Sequence, residues 1–165
     1  MNFPEGLFSD GWSFGAFLPL AIVWLWCVRT APWRRLADTT QLHVWLGSIV
    51  VLMLIWSMKA GVKPGLDLHL LGATALTLMF GRQLAILGLS VVMAAVTLNG
   101  AAGWAPYALN ILVTAVFPCL AAHALLRIVE RYLPANFFCY IFCAAFFVSA
   151  ISVVSTGWLA SLVLW

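Results

Sequence analysis

An all-α, polytopic integral membrane bundle is the fold class the sequence predicts, and three observations predict it. Of the 165 residues, 65% are apolar and only 8% are charged, against roughly 25% charged in a typical soluble domain. The apolar residues gather into runs close to the ~20 residues that a membrane-crossing helix needs. The arginines collect on one side of those runs. This composition excludes a disordered chain and argues against a soluble globular domain. A formal net charge of +3 without a cluster of Lys and Arg excludes a nucleic-acid surface and leaves membrane lipid as the expected surrounding. No internal repeat, low-complexity run or linker divides the chain, so residues 1–165 read as one integral membrane domain.

Six hydrophobic segments follow in order: Trp12–Val28, Leu42–Met58, Leu66–Phe80, Gln83–Leu98, Pro106–Leu126 and Phe137–Ser155. The ten residues at the start carry Glu5 and Asp10 and no basic residue. That is not the charge pattern of a cleaved signal peptide, and they are expected to stay on the protein. The third and fourth segments are short, which calls for tight packing, local thinning or partial re-entry. The third contains Asp67, His69, Thr74 and Thr77, and is therefore expected to face protein or water. In the fifth, Asn110 and Thr114 lie four apart on one face, and Pro118 favours a kink. That polar face either lines a path or bonds to neighbouring helices. The last residues, Gly157–Trp165, are too few to cross; they lie in the interface or begin a seventh helix that the chain lacks.

Charge sets the expected orientation. With the N-terminus outside, the inner connections hold Arg29, Arg34, Arg35, Arg82, Arg127 and Arg131, and the outer ones hold Lys59 and Lys63. Six against two is the excess that the positive-inside rule describes. Tryptophans agree, with Trp12, Trp56, Trp104 and Trp158 at outer ends and Trp33 and Trp45 at inner ones. Two small-xxx-small pairs, Ala73 with Thr77 and Gly81 with Ala85, are expected at helix contacts.

This topology separates the three histidines: His69 is outer, while His43 and His123 are inner. A three-His metal site is therefore disfavoured. The outer half collects the Met1 amine, Asn2, Glu5, Met58, Asp67, His69, Asn99 and Asn110. Amine, imidazole, carboxylate and amide oxygen are all ligand types for a divalent transition metal. The alternative is structural, with His69 satisfying a backbone carbonyl or Asp67 and the Asn side chains joining helices. Cys27, Cys119, Cys139 and Cys143 fall in the inner half, where thiols stay reduced. Cys139 and Cys143 share a face and with His123 could form a soft-metal site, although free Cys in an apolar helix is more often a small hydrophobe. No phosphate-binding loop, nucleophile elbow, HExxH or CxxC motif occurs, so nothing points to an enzyme or to a permanently bound cofactor.

The residues Met1-Asn2-Phe3-Pro4-Glu5-Gly6 resemble the M-H-I-P-[DE]-G start of the CbiM/NikM permeases. These are substrate-binding membrane components of energy-coupling-factor transporters for cobalt and nickel. The stretch PGLDLHLLGAT, residues 64–74, is similar to their H-x-x-G segment, with His69 and Gly72 in register. The stretch NGAAGWAPYALN, residues 99–110, is similar to their HGG…GAN segment, with Gly100 and Asn110 matching. The resemblance implies a bacterial inner-membrane permease that takes a divalent transition metal, cobalt or nickel, as its substrate. ATPase and transmembrane coupling subunits would be its partners. The implied metal ligands are Met1, Asn2 and His69, with Asp67, Asn99, Asn110 and Thr114 along the path or behind the ligands. Two departures bear on capture: Asn2 and Asn99 stand where the family has His. A carboxamide oxygen is a harder, weaker ligand for nickel or cobalt than imidazole. The other reading is accordingly a relative that keeps the fold, has a disabled metal site, and acts as scaffold or regulator.

Overall fold

The computed structural model describes residues 15–57, 72–100, 103–132 and 140–163, and no strand occurs among them. The helices are α1 (Phe17–Thr30), α2 (Trp33–Leu36), α3 (Thr39–Ser57), α4 (Gly72–Phe80), α5 (Arg82–Leu98) and α6 (Tyr107–Ile111). A π-helical segment, Leu112–Val116, joins α6 to α7 (Phe117–Tyr132), and a second, Tyr140–Phe147, leads into α8 (Val148–Val163).

Local chemistry sets the boundaries. α1 ends where Ala31 turns extended (φ −63°, ψ 140°) and Pro32 follows, because a residue before proline is pushed out of the helical region. The carboxylate of Asp38 accepts the Thr40 N–H at 2.9 Å and so caps the start of α3. Gly81 has φ +83° and ψ 163° and turns α4 directly into α5, a conformation essentially confined to glycine and costing another residue about 1–3 kcal/mol. That corrects the pairing of Gly81 with Ala85: Gly81 is the turn itself, not part of a helix-contact stripe. Ala73 and Thr77 are buried as expected, and the Cys119 thiol of α7 approaches the Ala73 carbonyl at 3.9 Å.

α5 is the centre of the bundle, packed against α1, α3, α4, α6 and α7. Leu84, Ala85, Ile86, Leu89, Val92, Met93 and Val96 are almost or wholly removed from the surface. Side-chain hydrogen bonds tie the surrounding helices to it. The indole N–H of Trp24 donates to Ser90 Oγ (3.1 Å), that of Trp45 to the Leu84 carbonyl (3.2 Å), and the Tyr107 hydroxyl to the Ser90 carbonyl (3.1 Å). The outer faces of α1, α3, the second π-helical segment and α8 instead expose Leu18, Ile22, Val50, Leu54, Phe146, Val154 and Trp158. Such surfaces are stable against lipid tails, which are as apolar as the side chains themselves.

Thr39–Trp56 and Tyr107–Tyr132 are long and apolar enough to cross a membrane, and Phe17–Thr30, Arg82–Leu98 and Ala145–Leu159 are shorter apolar helices. The fifth predicted segment runs past Leu126 to Tyr132. The sixth does not stop at Ser155: residues 157–163 continue α8, which corrects their reading as a separate interfacial piece. Ser155 and Thr156 are accommodated because both hydroxyls bond the Ser152 carbonyl, at 3.0 and 2.7 Å. Trp56 is a third correction. It is 1% exposed and belongs to the core, not to an interfacial belt, whereas Trp33, Trp104 and Trp158 are exposed.

Candidate functional site

The helices sort the sequence-predicted residues to two ends. α1 ends, α3 begins and α4 meets α5 on one side, as the Arg82–Trp26 and Trp45–Leu84 contacts show, and α7 runs back to that side from the far end of α5. This end carries Arg29, Arg34, Arg35, Arg82, Arg127 and Arg131. The opposite end holds the close of α5 and the start of α6, with Asn99, Asn110 and Thr114. Met1, Asn2, Asp67 and His69 lie outside the described residues, as does Cys139. The flanking positions Gly15, Ser57 and Gly72 belong to the helix ends opposite the arginines.

Asn99 closes α5: its backbone N–H bonds the Ala95 carbonyl, the Gly100 N–H bonds the Thr97 carbonyl, both at 3.0 Å, and the Asn99 side chain is exposed. Gly100 follows at φ +73°, so the chain reverses where only glycine is unstrained. Trp104 and Tyr107 meet at 5.8 Å between ring centroids on the way into α6. Asn110 is wholly buried, and its backbone carbonyl accepts the Thr114 hydroxyl at 2.6 Å. Thr114 therefore satisfies its own helix and does not reach across to a neighbour. The π-helical segment containing it has a local cause. Pro118 has no N–H, and its ring excludes the usual position of the carbonyl four residues back. The Phe117 N–H reaches five residues back to Leu112 instead. Such widened turns are frequent at functional sites. Ser152 of α8 then donates to the Pro118 carbonyl at 3.2 Å.

The third segment behaves as expected where it is described. Thr74 and Thr77 are buried, Thr77 bonds the Ala73 carbonyl at 2.7 Å, and the Thr74 hydroxyl has no hydrogen-bond partner among the described residues. Among the described residues no three His, Cys, Asp or Glu side chains come together to hold a metal. Cys27 and Cys119 are buried free thiols.

Sequence reasoning set Arg82 among the inner arginines but missed its contact across helices. Its guanidinium lies 4.9 Å from the Trp26 ring centroid of α1. No spacing rule joins residues so far apart in the chain; only the packing of α1 on α5 does.

The described residues, helical with long apolar helices, lipid-compatible outer faces and a sparse internal polar set, are built as a membrane protein. The model of the CbiM family, "Cobalt uptake substrate-specific transmembrane region", matches residues 2–165, and the chain belongs to that family. The family is one of transport, not of enzymes. No curated protein and no solved structure matches the chain.

Proposed function

We propose that this chain is a single-domain permease that captures a divalent transition-metal ion, cobalt or nickel, at the end of the bundle opposite the arginines. The observation that carries this reading is the family match over residues 2–165. In it, the bundle has about six spans with the N-terminus outside, in a bacterial inner membrane. The Met1 amine, Asn2 and His69 hold the ion, and Asp67, Asn99, Asn110 and Thr114 line the way behind it. Release follows movement of helices driven by partner ATPase and coupling subunits. The burial of Asn110 and Thr114 beside a widened turn supports a path at that end.

The test is metal content and affinity of the purified chain with a native, untagged Met1, titrated with nickel, cobalt, copper and zinc and repeated with His69→Ala. Micromolar or tighter binding, about −8 kcal/mol, that His69→Ala abolishes is the expected result. Affinity should fall with pH, because protons compete for the amine (unperturbed pKa about 7.8) and the imidazole (about 6.5). Binding that is flat between pH 8 and 5.5 would overturn the ligand set.

The two His-to-Asn departures favour a second reading, a non-transporting relative that scaffolds or regulates another complex. Asn2→His with Asn99→His separates the two: metal binding that appears only in this double variant marks a disabled site.

A further inference from the structure

Thr74 stands apart from the other buried hydroxyls. Its side chain is 1% exposed, and its Oγ1 has no hydrogen-bond partner among the described residues. The other buried serines and threonines described, Thr77, Ser90, Thr97, Thr114, Ser152 and Thr156, each donate to a backbone carbonyl. Thr114 thus has its proton committed to its own helix, whereas Thr74 keeps both its proton and its lone pairs uncommitted. A buried hydroxyl left unpaired destabilises the packed state, and among lipid-surrounded helices bulk water does not make good the loss. Depth along the bundle gives this hydroxyl a place. The Cys119 thiol of α7 comes to 3.9 Å from the carbonyl of Ala73, the residue before Thr74. At ~1.5 Å per residue, Cys119 is about 7 Å further in than Thr114, and Thr74 is about 10 Å short of the turn at Gly81, where the arginine end begins. Thr74 therefore lies about halfway through the bundle, deeper than Asn110 and Thr114. A hydroxyl oxygen is a hard, weak ligand for nickel or cobalt. Weakness suits transit, where an ion must be held and then let go.

We propose that Thr74 is a step on the ion's way inward, its hydroxyl oxygen receiving the divalent transition-metal ion after it leaves the capture end. The step rests on the permease reading and adds a residue to it. The packed bundle covers Thr74, and the missing hydrogen bond makes that packing the easier to open when the helices move. Thr74→Val removes the hydroxyl at nearly constant shape, and Thr74→Ser keeps it. The purified full chain with native Met1, titrated with cobalt and nickel, should show affinities within about twofold of wild type in both variants, because capture lies elsewhere. Cobalt or nickel accumulation is then measured in native host cells carrying each variant in place of the chromosomal copy. It should fall about tenfold in Thr74→Val, the loss that goes with one bond to a charged group, and be largely kept in Thr74→Ser. Thr74→Val should unfold at no lower temperature than wild type, since the lost hydroxyl had no partner. Four outcomes would each overturn the step: Thr74→Val accumulating metal like wild type, Thr74→Ser falling as far as Thr74→Val, affinity falling together with accumulation, or Thr74→Val unfolding earlier. Wild type that neither binds nor accumulates metal would overturn the permease reading, and this step with it.

Discussion

α3 and α5 are written in nearly the same apolar alphabet and live in opposite surroundings. Of the window Thr39–Trp56 only 17% is buried inside the bundle, whereas α5 buries most of its length and touches five other helices. The difference lies in the small and hydroxylated residues. α5 has Ala85, Gly88 and Ser90 where neighbours approach, and beside Gly88 the Trp45 indole and the Ile49 side chain of α3 come to 3.4 Å from the site of a missing Cβ. α3 turns Val50, Val51 and Leu54 outward. In lipid, hydropathy marks which residues leave water; close approach of backbones marks which leave lipid.

The sharpest way to break this comparison is a matched pair of truncations. Leu89→Ala in α5 should cost about 2–5 kcal/mol, the range for a cavity in a packed core, while Leu54→Ala should stay within about 0.5 kcal/mol. Unfolding free energies measured in bicelles would decide it, and equal costs would mean α5 is not the packed centre. Next in size is Gly81→Ala, expected to cost about 1–3 kcal/mol from its backbone conformation alone. Gly47→Ala in α3, where nothing lies within 4 Å of the added carbon, should be neutral or stabilising by up to about 1 kcal/mol. Ser90→Ala removes the acceptor of Trp24 and should cost about 0.6 kcal/mol, the average for hydrogen bonds between membrane helices. Tryptophan fluorescence would report the loosened indole, and an unchanged spectrum would count against the bond. Ser152→Ala, which frees the Pro118 carbonyl, should cost no more than that.

Much of the helical layout was legible because apolar runs report it directly. The fourth segment, Gln83–Leu98, differs from α5 by one residue. The fifth ended too early in the sequence because Arg127, Glu130 and Arg131 broke the apolar run, although a helix can carry charges on beyond the hydrocarbon. The sixth ended too early at Ser155 because the hydroxyls looked like a break, whereas their bonds to the Ser152 carbonyl make them compatible with helix. The burial of Trp56 and the Arg82–Trp26 contact were not legible, since both depend on which helices become neighbours. Of the candidate site, the burial of the polar face at Asn110 and Thr114 was readable from spacing. The intrahelical use of the Thr114 hydroxyl was not, because it follows from the backbone geometry ahead of Pro118.

The widened turn at Leu112–Val116 has a consequence for how this helix can be edited. A π turn is an α-helix carrying one residue too many, so the chain there holds a length error that the rest of α6 and α7 has been built around. Deleting Val113 would remove that surplus and return the turn to ordinary α-helical register, with Tyr107 and Asn110 kept on nearly their present bearings relative to α7. The same deletion in the regular turns of α7, at Ala121, has no surplus to draw on and would rotate everything before it by about 100°. The widened turn is thus a place where this helix can lose a residue and keep its faces.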